Sequence, residues 1–498
     1  MGESYPLLLW LSTAACLLGS VQFGYHIGVL NTAEQYVEAD LGAGQQGAAL
    51  VGVLIAAATF GSLAAGSAAD RFGPRTAGVL NNALLLAGTA CSMCAGRLLP
   101  MLLGRALAGL GCGAASVLVP RYLAEIAPLA IRGALGTLTQ VFINVGILAA
   151  YLVGYPYEAG ATSVQLLGHE VAWWRIMFAA VLGPALLQAA SLALCPESPA
   201  WLLRAGRADR AARALRRLHG SAFRPEDHHP KVQAAAAAAE GRQAGAASGT
   251  SGLADAEQPL LGSTAGQPEG QAEDQAEQEH LGWGALWAPR YRRVMVLAAA
   301  LPLAQQASGI NTVIFFSTQV FQQAGLQSPI LGSIAMGLTN VAFTVVAALL
   351  MDHAGRRPLL LTSFAGMAAC LAALAAVMQL PTPKALEGPA SLGCVLAYMV
   401  FFALGAGPIP YLYMPEVLPR EIMGTAQAFC TSLNWLSNLV VGSTFPALLA
   451  ALGIAGSYLV YAVLNVAAFL FLEARMVETK RRSADSIRAQ LLGETGGA

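Results

Sequence analysis

Charge is what this sequence has least of. Only 11% of its 498 residues are Asp, Glu, Lys or Arg, against 56% hydrophobic, and ordinary soluble domains carry about 25% charged residues. A string of soluble domains is excluded; the chain is an integral membrane protein. Its formal charges balance to zero, so the basic footprint of a nucleic-acid partner is missing. The absence of any Asn-x-Ser/Thr sequon argues against a heavily processed cell-surface glycoprotein. Most of the eight cysteines lie in apolar segments and read as small buried hydrophobes, not a disulfide framework. Cys91 and Cys94 form a C-x-x-C without the second pair or histidine cluster of a metal site, so no metal and no cofactor is expected. The glycines of Gly109-Leu110-Gly111-Cys112-Gly113 follow no strand and make no dinucleotide loop; their spacing signals close helix packing. The run Tyr5 to Leu18 lacks the basic lead and cleavage site of a secretory signal peptide, and no Arg- and Ser-rich transit segment precedes it, so targeting is not legible.

What the chain does have is a regular alternation of apolar runs and arginine clusters. Runs long enough for a span of about 20 residues lie near 7 to 31, 47 to 69, 76 to 96, 98 to 119, 134 to 155 and 173 to 195. Six more lie near 294 to 321, 329 to 351, 358 to 380, 391 to 414, 424 to 450 and 453 to 473. Arginines recur at Arg71 and Arg75, Arg121 and Arg132, Arg204 to Arg217, Arg356 and Arg357, Arg420, and around Lys480. If these clusters mark one face, spans cross in pairs between them and both termini lie on the positive side. The stretch Thr32 to Leu41, with Glu34, Glu38 and Asp40, then reads as an acidic loop on the other face.

The halves repeat each other. Asp70 to Arg75 follows the second span and Asp352 to Arg357 the eighth; Pro120 to Glu125 ends the fourth and Met414 to Pro419 the tenth. The fold class expected is an all-α membrane protein of twelve spans in two pseudo-symmetric six-helix bundles. Its divisions are 1–197 and 291–475 for the bundles, 198–290 for a polar linker and 476–498 for a tail. Within the linker, Arg207 to Leu218 has the spacing of an amphipathic helix on the positive face. The rest has too few bulky apolar residues to bury a core and reads as disordered.

One cluster carries chemistry. Gln305, Gln306 and Asn311 are carboxamides in an apolar span, where an unpartnered amide costs roughly 2 to 7 kcal/mol. They are five and six residues apart, so a bend near Ser308-Gly309 would bring them to a common chamber. Neutral groups that both donate and accept suit a neutral polyol.

The motifs Gly104-Arg105, Pro120 to Pro128, Arg132-Gly133, Pro196-Glu197-Ser198-Pro199, Gln305 to Asn311, Gly355-Arg356-Arg357 and Val477-Glu478-Thr479-Lys480 resemble the sugar porter branch of the major facilitator superfamily. Within it, Phe23 to Val29, Leu350 to Asp352 with Thr362 to Phe364, Ala403 to Pro408 and the Val477 tail are most similar to plastidic glucose translocators of plants and algae. The resemblance implies a hexose transporter working by alternating access. Sugar contacts would fall to Gln140, Gln305, Gln306, Asn311, Asn340, Asn434 and Trp435, with helix-packing glue the alternative for the amides and interfacial anchoring for Trp435.

Proton-coupled members typically carry an Asp directly after Phe-Gly-Tyr of the first span; here the position is His26. Uniport is the simpler expectation. Histidine titrates near physiological pH, so a proton-coupled symporter is the alternative, and a non-transporting sugar sensor a more remote one. The resemblance further implies that Asp70, Arg71, Arg75, Arg105, Glu125 and Arg132 in one half, with Asp352, Arg356, Arg357 and Glu416 in the other, latch the halves at the positive face. Met423 stands where the family has a second-half Arg, leaving Arg420 to substitute. Gly405, Gly407, Pro408 and Pro410 would form a gate hinge, with Tyr411 and, across from it, Phe315 and Phe316 as lid aromatics. The expected partners are a sugar, membrane lipid and, under symport, protons. The expected state is a monomer, and the expected membrane the inner chloroplast envelope, otherwise the plasma membrane. No enzyme activity is expected, because convergent acid, base or nucleophile groups are lacking.

Overall fold

A segment apolar on every face must satisfy its own backbone, and the helix does so within one strand of chain. In the computed structural model, which describes residues 5–42, 47–128, 131–166, 168–220, 283–380, 383–419 and 421–480 with 482, 486, 487 and 490, nearly every apolar run is such a helix. Most of the polar linker, 221–282, and Arg420 lie outside the described residues, as do the side chains of Arg132 and Asp352.

The first half comprises α1 (Leu7–Leu41), α2 (Gly47–Phe72), α3 (Pro74–Met93), α4 (Leu98–Ile126), α5 (Arg132–Gly154), α6 (Trp173–Ala179) and α7 (Leu182–Leu194). A hairpin of β1 (Ser163–Leu166) and β2 (His169–Ala172), unannounced by the sequence, pairs Ser163 with Ala172 before α6. Two short helices, α8 (Pro199–Arg204) and α9 (Ala208–His219), follow on the positive face. The second half comprises α10 (Arg292–Ala307), α11 (Ile310–Gln323), α12 (Pro329–Ala354), α13 (Arg356–Gln379), α14 (Lys384–Phe401), α15 (Ile409–Val417) and α16 (Met423–Arg475).

Ten stretches of the described residues are long and apolar enough to span a bilayer. One of them, α16, is two helices joined at a non-helical Gly453 (φ 66°). Adding its second half and α3, which lies along α4, gives the twelve spans expected.

Glycine sets how closely the helices approach. A Cβ on Gly113 would stand 1.9 Å from the Ala58 carbonyl oxygen, and one on Gly109 2.2 Å from that of Leu54, so α4 lies backbone to backbone on α2. The sequence spacing of these glycines announced that contact.

One expectation needs correction. Thr32 to Leu41 is no loop: α1 runs unbroken to Leu41 and is capped by a left-handed Gly42. At 1.5 Å per residue its 35 residues reach about 52 Å, beyond a hydrocarbon core of about 30 Å. The helix persists because its polar residues have partners. Asp40 accepts from Trp174 Nε1 at 3.0 Å and pairs with Arg175 at 3.2 Å, while Asn31 and Glu34 are buried against the second half.

Candidate functional site

The seventh span breaks where the sequence places Ser308-Gly309. Gly309 stands at φ 87°, a left-handed geometry that suits glycine, and it separates α10 from α11. Polar neighbours take up the freed carbonyls. Ser308 Oγ donates to Gln305 O at 2.6 Å, Thr312 Oγ1 to Gly309 O at 2.7 Å, and Tyr398 Oη and Asn465 Nδ2 to Ser308 O, each at 3.1 Å.

Around this break four of the seven predicted sugar residues form a single chain. Asn311 Nδ2 donates to Gln306 Oε1; Gln306 Nε2 donates to Asn434 Oδ1 at 3.1 Å; Asn434 Nδ2 donates to Gln305 Oε1 at 2.8 Å. Gln305 Nε2 then donates to the carbonyls of Ala406 and Gly407, at 2.7 and 3.0 Å. All four amides are at least nine-tenths buried. The last link has a structural cause: the tenth span passes through a π-helical turn, Phe402–Ala406, and resumes at α15 after Gly407-Pro408, which frees those carbonyls.

The other candidates lie in a second string. Half-buried Gln140 donates to Asn144 at 3.2 Å, Asn144 Nδ2 crosses to Thr344 Oγ1 at 2.9 Å, and Thr344 Oγ1 donates to Asn340 O at 2.7 Å. Asn340 Oδ1 is buried with no hydrogen-bond partner, and so is Asn438 Oδ1, one turn beyond Asn434. Trp435 is buried; its Nε1 donates to Ser116 Oγ at 3.1 Å and its ring lies 5.6 Å from that of Phe23. It therefore bridges the halves and is no interfacial anchor.

Polar contacts between the halves crowd at the acidic end. Asn31 Nδ2 donates to Ile314 O at 2.5 Å and to Ser317 Oγ at 2.8 Å, while Asn31 Oδ1 accepts from Thr318. Tyr151 Oη donates to Ile314 O at 3.0 Å, and Gln319 Nε2 to the carboxylate of buried Glu34 at 2.8 Å. Phe315 and Phe316 pack at this end with Phe445, whereas Tyr411, 42% exposed, sits on α15 towards the positive face. The expected pairing of these aromatics across one lid is thus replaced by two separate placements.

At the positive face each charged network stays within its own half. Asp70 pairs with Arg121 at 2.6 Å and Arg204 at 3.0 Å; Glu125 pairs with Arg121 at 3.1 Å and accepts from Ser198. Arg75 caps the end of α7 through the carbonyls of Leu192 and Ala193, and Arg71 lies over the Phe72 ring. In the second half Arg356 pairs with Glu416 at 3.1 Å, and Arg357 donates to Glu473 O at 2.8 Å. Among the described residues, polar contacts join the halves at the acidic end, and the ion pairs of the positive face do not cross between them.

Arg105 does not belong to the latch set. It lies two turns into α4 from the acidic end, 1% exposed, donating to His26 O at 3.0 Å and Leu50 O at 3.3 Å. His26 is equally buried, with Nε2 3.4 Å from Thr89 Oγ1.

Several residues escaped the sequence reading. Glu197 accepts from the backbone N–H of Arg75 at 2.9 Å and of Thr76 at 3.3 Å; Glu478 does the same for Arg356 at 3.0 Å and Arg357 at 2.9 Å. Each carboxylate thus sits on the positive end of a helix, at equivalent places in the two halves. Asn31, Asn144 and Asn438 were missed as well, although Gln140 with Asn144 and Asn434 with Asn438 repeat at four residues, the spacing that puts two amides on one helix face.

With this geometry in hand, the comparisons decide the family. The model of the "Sugar (and other) transporter" family matches residues 11–491. The chain belongs to that sugar transporter family. It is 36% identical to plastidic glucose transporter 4 of Arabidopsis thaliana over 500 residues, covering 100% of this chain and 82% of that relative. It is 30% identical to the facilitated glucose transporter member 3 of solute carrier family 2 from Oryctolagus cuniculus, covering 99% and 94%. Among solved structures it resembles the proton:xylose symporter XylE bound to 6-bromo-6-deoxy-D-glucose, with 26% identity, a TM-score of 0.73 and 97% and 99% coverage. A partially occluded, inward-open form of XylE from E. coli matches at 26% identity, a TM-score of 0.71 and 96% and 100% coverage. The sugar transporter is thus an all-α, multi-pass membrane protein of the major facilitator fold.

Proposed function

We propose that this sugar transporter carries a hexose, glucose foremost, by alternating access between its two halves, 1–197 and 291–475, joined by the linker 198–290 and followed by the tail 476–498. The observation that carries the reading is the chain of buried amides through Asn311, Gln306, Asn434 and Gln305, drawn from both sides of a helix break. Sugar hydroxyls, which donate and accept, substitute for such amide–amide bonds without leaving an amide stranded, and Asn340 Oδ1 and Asn438 Oδ1 supply open acceptors. A site of this kind rejects analogues that lack a hydroxyl, because its own buried groups are then unpaired. Gln140 and Trp435 complete the contact set, the indole offering an apolar face to a pyranose ring. The relatives named as glucose transporters and the symporter bound to a bromodeoxyglucose support this substrate class.

The transport mode is facilitative. His26 stands where proton-coupled members typically carry a carboxylate, and among the described residues buried Arg105 forms no ion pair, its donors resting on backbone carbonyls. Net flux then follows the sugar gradient alone. The relatives named as plastidic support a plastid membrane; the inner chloroplast envelope and a monomeric working unit are part of the proposal, and transport, not catalysis, is the activity.

Counterflow of labelled glucose in proteoliposomes tests the reading, with an imposed pH gradient and His26→Asn as arms. Exchange of labelled glucose without accumulation, in parent and variant alike, is expected. Accumulation driven by the pH gradient that disappears in the variant would establish symport; absence of any hexose exchange would sink the transport reading.

A further inference from the structure

The positive face carries a cavity that the transport pathway does not use. About 540 Å³ in volume, it lies between α9, α8 and the ends of α2 and α3. One wall is cationic: Arg210, Arg213 and Arg217, spaced three or four residues apart and so presented on one side of the helix, with Arg207 just before its first turn. The opposite side of α9 is pinned by buried Ala211, Leu215 and Leu218, which fixes the direction in which the arginines point. The other wall is apolar and aromatic, from Phe72 and Trp201.

The pairing of these arginines sets them apart. Their neighbours Arg121 and Arg204 are neutralised by Asp70 and Glu125. None of the four cavity arginines forms an ion pair with a described residue. Arg213 Nε reaches only the Asp209 carbonyl at 3.3 Å, and Arg207 lies over the Trp201 ring at 5.7 Å. The carboxylate that does line the cavity, Glu197, is committed to the N–H groups of Arg75, Thr76 and Ser198. The four arginines are solvent-exposed around an open hollow, so salt screens their mutual repulsion, but planar guanidinium forks match phosphate oxygens two at a time.

We propose that this cavity binds an organic phosphate, its phosphate held by Arg210, Arg213 and Arg217 and its uncharged body against Trp201 and Phe72. Two sources share that chemistry: the headgroup of an anionic phospholipid, since Phe72 ends a membrane span, and a soluble phosphate ester. Either ligand would act on the bundle edge where Trp201 Nε1 donates to Asp70 O at 2.8 Å, and so brace the intra-half charge network of the open face.

The test uses the full chain, purified and read without sugar, so that its outcome is independent of the transport reading. Titrations with inorganic phosphate, glycerol 3-phosphate and a hexose phosphate are run in nanodiscs of phosphatidylcholine alone; native mass spectrometry counts retained lipids in nanodiscs containing phosphatidylglycerol. Arg210→Gln/Arg213→Gln/Arg217→Gln is expected to weaken binding by about tenfold or more, and the matching triple Lys variant to recover part of it, because charge without the fork remains. Saturation by the soluble esters in phosphatidylcholine identifies a soluble ligand; selective retention of phosphatidylglycerol without ester binding identifies the lipid. Equal binding by parent and Gln variant in every arm overturns the proposal. So does failure of any phosphate to bind until the linker 221–282, with ten acidic and three basic residues, is removed, since that would make the chain's own acidic segment the occupant.

Discussion

Buried amides behave as a set, because removing one strands its neighbour. Asn434 serves both Gln306 and Gln305, so Asn434→Ala leaves two buried groups unpaired, each worth about 1–3 kcal/mol. The expected outcome is a fall of about tenfold or more in glucose kcat/KM, a factor of ten being about 1.4 kcal/mol; counterflow within twofold of the parent would refute the chain as the sugar site. Asn438→Ala removes an acceptor with no protein partner. Its expected signature is weaker sugar binding with an unchanged Tm, and a Tm drop with normal binding would mark it as structural. Glu478 lies outside the spans, and its titration has a definite sign. Partial burial raises its carboxyl, but the backbone N–H groups of Lys480, Arg356, Arg357 and Thr479 outweigh that and hold it below the ordinary carboxylate range. With the folded value depressed, its stabilisation is complete above the unfolded value of about 4.3–4.5 and is lost as pH falls through the folded one. Glu478→Gln should therefore lower Tm at neutral and mildly acidic pH alike, and the gap to the parent should close only as the pH falls below about 4.5. A gap that persists unchanged at low pH would contradict this.

At the scale of elements, breaks matter more than helices. Gly309 holds φ 87°, and a Cβ there would approach the Tyr461 ring to 2.9 Å. Gly309→Ala therefore combines backbone strain of about 1–3 kcal/mol with a clash, and a lower Tm with loss of transport is the expected result. This break was legible in advance, since amides five and six apart converge only if the helix bends, and Gly309 is the residue that permits it. The proline and glycine cluster of the tenth span was equally plain. The reach of α1 was not. Glu34, Glu38 and Asp40 look like solvated loop residues until Gln319, Trp174 and Arg175 are seen to satisfy Glu34 and Asp40, and no local pattern encodes a partner almost three hundred positions away. Arg105 misled for the related reason that the resemblance grouped it with the charges of the positive face, and composition gives no depth.

For the whole molecule, the asymmetry of contacts fixes the conformational bias. The halves are tied through Asn31, Tyr151 and Glu34 at one end, and among the described residues no ion pair crosses between them at the other. Asn31→Ala removes three of these bonds and should shift the population towards the form open at the acidic end. Hydrogen exchange over Ile314 to Gln319 is expected to rise, with sugar flux slowed more in one direction than the other only under saturating conditions on one side. Unchanged exchange in that segment would show that packing, not polar contact, closes the end.

Gln305 joins two parts of the site. Its oxygen accepts from Asn434, a proposed sugar contact, while its nitrogen holds the two carbonyls freed at the π turn. Cargo and joint are therefore neighbours through a single side chain, and a hydroxyl that takes Asn434 for itself loosens the brace on the tenth span in the same event. Loading would in this way license motion without a dedicated sensor. A deoxy analogue that leaves Asn434 undisturbed should bind more weakly than glucose and, even at saturation, be carried hardly at all.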